Sequence, residues 1–231
     1  MNCPVTNVEL MVVSGLGFVF IFVALWVNQT AIPRKDIPGF KQAGLALQLS
    51  GTKEIVRQVV GEVNSPDRLK LRTGISRDFV LIITYTAFFV GVGFLLSYAK
   101  TPGAKWLGLA AAFLMLVAAT SDLRENVRIL QILSLAPADI TDTLCRELRI
   151  FSTVKWLFFF LAVGLESIIL IKFFNGFSII GLVMIISTIA GIIGLRFTQV
   201  FPLAIASLSL AAILLAVIPI VFHDKFLTLF C

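Results

Sequence analysis

Histidine and cysteine are scarce in this sequence: one His (His223) and three Cys (Cys3, Cys145 and Cys231) in 231 residues, with no CxxC pair. A bis-histidine haem and a clustered Cys/His metal site are thereby excluded for an isolated chain, and no cofactor or metal is expected. Charge is scarce as well. Asp, Glu, Lys and Arg make up 14% of the residues, against about 25% in ordinary soluble domains. No nucleophile elbow, phosphate-binding loop, dinucleotide fingerprint or HExxH helix occurs, which removes the enzyme chemistries those motifs carry.

What abounds is apolar: 58% of side chains are hydrophobic and the mean hydropathy is +1.00. This is the composition of an integral membrane protein. The net charge of +6, from 19 Lys and Arg against 13 Asp and Glu, does not point to nucleic acid. Those charges flank apolar runs, where they orient spans and meet anionic lipid headgroups. The bilayer and its headgroups are the expected partners, with a membrane protein or a second copy as a further one.

Six apolar stretches predict an all-α bundle of six membrane helices, over about 9–27, 78–100, 105–124, 151–174, 177–196 and 201–222, since a helix of ~20 apolar residues crosses a ~30 Å hydrocarbon layer. The whole chain reads as one membrane domain. The first stretch is expected to be a retained helix rather than a signal peptide, because no basic residue precedes it and Trp26, Val27 and Asn28 make a poor cleavage site. Thr101-Pro102-Gly103 and Asn175-Gly176 suit tight turns between spans.

Between the first two spans, nine basic residues face four acids from Asn28 to Arg77. Within the segment of about 37–64, Thr52 is placed to cap a helix. Its Ile55, Val56, Val59, Val60 and Val63 recur at helical spacing, opposite Lys53, Glu54, Arg57 and Glu62. The pattern predicts an amphipathic helix lying on the membrane surface and ending at Asn64, Ser65 and Pro66. Arg68, Lys70, Arg72 and Arg77 are expected to hold lipid headgroups, with Asp78 at the positive end of the second span. Basic residues concentrate in this connection and in that from Arg124 to Arg149, so both are expected on the cytoplasmic side of the cell (plasma or inner) membrane, with both termini outside.

Two polar features would cost energy in lipid. At 100° per residue, Asp122, Glu125 and Asn126 share one helix face while Arg124 and Arg128 point away. That face suits a cation, a proton relay or a polar ligand, or it pairs with Arg146 and Arg149 beyond the Pro137 turn. Glu166 follows Lys155 by eleven residues, ~16 Å further along the helix, which predicts a place near the bilayer midplane. A carboxyl there is expected to donate a hydrogen bond to Tyr85, Thr84, Ser187, Thr188, Ser207 or Ser209. Its two readings are a stitch between helices and a proton or ligand site.

Asp78-Phe79 with Ile82 and Tyr85, followed by Asp122, Glu125 and Asn126, resembles a pattern in uncharacterised multi-pass membrane proteins of bacteria. The resemblance covers roughly residues 50–170 and implies a bacterial membrane setting without an activity. Two function classes compete. One is a small carrier or lipid-handling protein with a polar path formed by Glu166, Tyr85 and the Asp122/Glu125/Asn126 face; the other is a non-catalytic accessory subunit of a larger membrane complex. An enzyme ranks third, because no nucleophile or metal set accompanies Asp122 and Glu125.

Overall fold

A computed structural model describes residues 5–28, 37, 39–40, 42–100, 103–173, 178–221 and 230. The expected turns at Thr101-Pro102 and Asn175-Gly176 fall outside that set. Among the described residues the elements are α1 (Asn7–Asn28), α2 (Ala43–Leu49), α3 (Lys53–Val60), α4 (Pro66–Ser97), α5 (Ala104–Ile132), a 3-10 turn at Pro137–Asp139, α6 (Asp142–Phe173), α7 (Ser178–Gly194) and α8 (Phe201–Val221). Five of these helices, α1, α4, α5, α6 and α8, are long and apolar enough to cross a membrane, and α7 is a shorter apolar helix. The long apolar helices make the chain a multi-pass, membrane-embedded protein.

The long helices and α7 form a closed ring in chain order. Each of α4 to α8 packs on its predecessor, and α1 bridges α4 and α8. Lipid tails are as apolar as leucine, so the ring cannot be held by the hydrophobic effect and relies on close packing. Small residues supply it. A Cβ built on Gly93 of α4 lies 2.9 Å from the carbonyl oxygen of Gly108 on α5, so the two backbones approach as only glycine allows. Gly15, by contrast, has nothing within 4 Å of such a Cβ. Gly93→Ala is expected to cost about 1 kcal/mol or more by forcing α4 from α5, whereas Gly15→Ala is expected to be stabilising by about 0.5–1 kcal/mol. Thermal unfolding of the two variants in detergent checks the difference; equal midpoints would refute the close-approach argument.

The ring's interior is aromatic. Phe88 and Phe89 of α4 meet Phe20 of α1, while Phe159, Phe160 and Trp156 of α6 meet Tyr85, Phe89 and Phe201, with ring centroids 4.8–5.9 Å apart.

α4, α5 and α6 overrun their apolar stretches at one end. α4 starts at Pro66, α5 continues to Ile132 and α6 starts at Asp142, so the Ser65-Pro66 pair expected to end a helix begins one. Ser65 accepts a hydrogen bond from the Arg68 amide at 3.3 Å, and Pro66 occupies the first turn. The overhang builds a small cap with its own core, in which Val56, Val59 and Val60 of α3 pack with Ile129, Ile132, Cys145 and Leu148.

This corrects the surface-helix expectation. The amphipathic helix is there, but it spans only Lys53–Val60 and its three valines are fully buried by protein rather than resting on lipid. Each burial contributes about 1.5 kcal/mol or more, and the overhanging ends of α5 and α6 supply the apolar surface locally. Thr52 stands at the N-cap position with extended backbone, yet its side chain makes no cap hydrogen bond.

Candidate functional site

The Asp122, Glu125 and Asn126 face of α5 turns inward, as the helical spacing predicts, and all three residues are buried. Arg146 and Arg149 do not reach it; both are exposed. The partner is Lys155 of α6. Its ammonium lies 3.0 Å from Asp122 Oδ1 and 2.9 Å and 2.8 Å from Glu125 Oε1 and Oε2. Lys155 is 5% exposed and Glu125 0%, so the ion pairs are shielded from water and the charges depend on one another.

α4 completes the constellation. Tyr85 donates its hydroxyl to Asp122 Oδ2 at 2.9 Å, and Asn126 Nδ2 donates to Asp78 Oδ2 at 2.8 Å. Asp78 therefore sits twelve residues inside α4 rather than at its first turn. Two carboxylates thus hold one ammonium, and a third, that of Asp78, joins the set through Asn126. Asn126 Oδ1, also buried, has no hydrogen-bond partner among the described residues.

Helix arithmetic places this centre. Lys105 and Trp106 on α5, and Lys172 on α6, are exposed at the opposite end of the ring. Asp122 lies seventeen residues from Lys105, and Lys155 seventeen from Lys172, ~26 Å in each case. A ~30 Å hydrocarbon layer that began at these far-end residues would reach just past the centre, towards the cap.

Glu166 is elsewhere. It lies on the same face of α6 as Lys155 but three turns deeper, with buried Phe159, Ala162 and Val163 between them. Lys155 is inside the bundle rather than at its edge, and Glu166 lies ~9 Å from exposed Lys172 along the helix. It is 0% exposed, and neither carboxyl oxygen has a hydrogen-bond partner among the described residues.

None of the expected acceptors is bonded to Glu166, and their hydroxyls donate elsewhere. Tyr85 serves Asp122, Ser187 donates to Ala204 O, and Thr188 donates to Met184 O and Phe160 O. Thr84, Ser207 and Ser209 donate to carbonyls of their own helices. Glu166 and the Asp122 face therefore form two separate stations with an apolar layer between them, not one polar path.

The basic residues divide. Arg68 is 6% exposed and donates to the carbonyls of Leu135, Gly61 and Leu133 at 2.6, 2.9 and 3.4 Å. It caps the C-terminal end of α5, where a cation is favoured, instead of meeting lipid. Arg77 stacks on Trp26 of α1 at 4.5 Å. Lys70 and Arg72 are exposed. Comparison with known protein families, with curated proteins and with solved structures returned no match.

Proposed function

We propose that this chain is a small carrier with six membrane spans, α7 included, in a bacterial cell membrane, with the cap in the cytoplasm and both termini outside. In this reading it moves a small solute or lipid in exchange for a proton. The observation that carries it is a surplus of carboxylates: buried Asp122 and Glu125 share the ammonium of Lys155, and half-buried Asp78 joins them through Asn126. Burying unbalanced charge is costly, so such a centre balances itself by holding a proton and releasing it when the surroundings change.

Asp122 and Glu125 form the heart of the proton or ligand site, Lys155 sets their charge balance, and Tyr85 and Asn126 orient Asp122 and Asp78. Glu166 is the second station towards the other face, and the Phe159 and Val163 layer between the stations is the barrier that a carrier needs. Lys70 and Arg72 meet the headgroups beneath the cap.

The test is discharge of an imposed pH difference in liposomes that entrap a pH-reporting dye, with pooled small solutes and phospholipids added as candidate cargo. Wild type is expected to discharge it when its cargo is present. Asp122→Asn and Glu166→Gln are expected to fold yet match protein-free liposomes. Discharge by both variants at the wild-type rate would overturn the reading. So would a stoichiometric protein partner after gentle purification together with no flux, which is the outcome an accessory subunit predicts.

A further inference from the structure

Back to back with the buried centre, α5 and α6 leave an open groove on the outside of the ring. It encloses about 460 Å³ and is lined on α5 by Phe113, Leu116, Val117, Thr120, Ser121 and Arg124, and on α6 by Ile150, Phe151 and Val154. Its polar groups gather at one end. Arg124 is exposed, lies 5.9 Å from the Phe151 ring and has no carboxylate partner among the described residues. Arg128, one turn further, is by contrast paired with Glu147 at 3.0 Å.

Depth identifies the occupant. Arg124 lies eighteen residues from exposed Trp106 at the opposite end of α5, ~27 Å along the axis and so level with the headgroups beneath the cap. From Arg124 the groove descends to Phe113, eleven residues away, or ~16 Å, about the depth of one leaflet. Below the hydroxyl-bearing Thr120 and Ser121 its α5 wall is apolar. A cation at headgroup level above an apolar channel one leaflet deep matches a phospholipid: phosphate on the guanidinium, acyl chain along Val117 and Phe113.

We propose that the α5–α6 groove is a binding site for one phospholipid with a net negative headgroup, drawn from the leaflet beneath the cap. A soluble anion would use Arg124 and leave the channel unfilled. A zwitterionic lipid would bring an ammonium group towards Arg124, which is unfavourable. The site stands on the groove and its unpaired cation and does not depend on the carrier reading.

Native mass spectrometry of the detergent-purified protein, titrated with phosphatidylglycerol or phosphatidylcholine, tests it. One phosphatidylglycerol per chain is expected to be retained in preference to phosphatidylcholine. Arg124→Gln is expected to weaken that retention roughly five- to tenfold, whereas Lys105→Gln, which removes an exposed cation at the opposite end of α5, leaves it unchanged. Val154→Trp, which fills the channel and keeps the arginine, is expected to lose the bound lipid. Undiminished retention in Arg124→Gln, equal retention of both lipids, or displacement by free glycerol phosphate would each overturn the proposal.

Discussion

Lys155→Met is expected to destabilise the protein by about 3–5 kcal/mol, the cost of removing one partner from a buried ion pair. Methionine keeps the length and apolar stem of lysine, so little packing is lost. What is lost is the one ammonium facing Asp122 and Glu125 at 2.8–3.0 Å, in a place that water does not reach to take its role. The triple variant Lys155→Met, Asp122→Asn, Glu125→Gln removes the charges together and is expected to recover most of the stability, because a neutral buried set carries no uncompensated charge. Cys145 offers the readout. It is a free thiol, 1% exposed in the core of the cap, so in a Cys3→Ser, Cys231→Ser background a thiol-reactive dye signals unfolding alone. A Lys155→Met protein that melts with wild type, or a triple variant no better than the single one, would contradict the ion-pair account.

Where lipid sets the limits of a helix, the sequence shows them. The apolar runs of α1, α7 and α8 end where the helices end, within about two residues, the usual uncertainty of a helix terminus. Where water and protein set them, hydropathy stops too soon. Residues 66–77 are polar and therefore lie outside the apolar run, yet Ser65 and Pro66 are a good helix start and α4 runs unbroken from them. The valine face of α3 was legible, but not what covers it, since amphipathicity reports an apolar face and not whether lipid or protein lies against it.

The inward face of Asp122, Glu125 and Asn126 followed from angular spacing alone. Its partner does not, because a lysine near the start of an apolar run reads as a marker of the interface and Arg146 and Arg149 stand nearer in the sequence to the Pro137 turn. Equal spacing from two far-end lysines held the missing signal: Asp122 from Lys105 and Lys155 from Lys172 are the same seventeen residues, which puts acid and base at one depth on antiparallel neighbours. Tyr85 is expected beside this face and Asp78 shares the resemblance with it, but no spacing in the sequence gives their hydrogen bonds to Asp122 and Asn126. Their place depends on the rotation of α4 about its axis, and its weakly sided apolar sequence leaves that rotation to the Gly93–Gly108 approach and the aromatic layer.

Glu166→Leu is expected to make the protein more stable, by about 1–3 kcal/mol, and to end proton-linked transport in the same variant. Both carboxyl oxygens are buried without a partner among the described residues, and an unsatisfied buried polar group costs about that much. Leucine removes the cost and keeps much of the volume. Glutamine keeps a polar group in the same surroundings, so Glu166→Gln is expected to gain little. Had Glu166 been a stitch between helices, leucine would instead lose about 0.6 kcal/mol, the mean interhelical hydrogen bond in membrane double-mutant cycles. The sign of the change therefore separates the two readings, and the dye-reported melting of Cys145 measures it. A Glu166→Leu protein less stable than wild type would mean that the carboxyl is bonded after all. A gain in stability together with lost flux would mean that the fold carries this carboxyl at a cost, which an interhelical stitch does not explain and a proton station does.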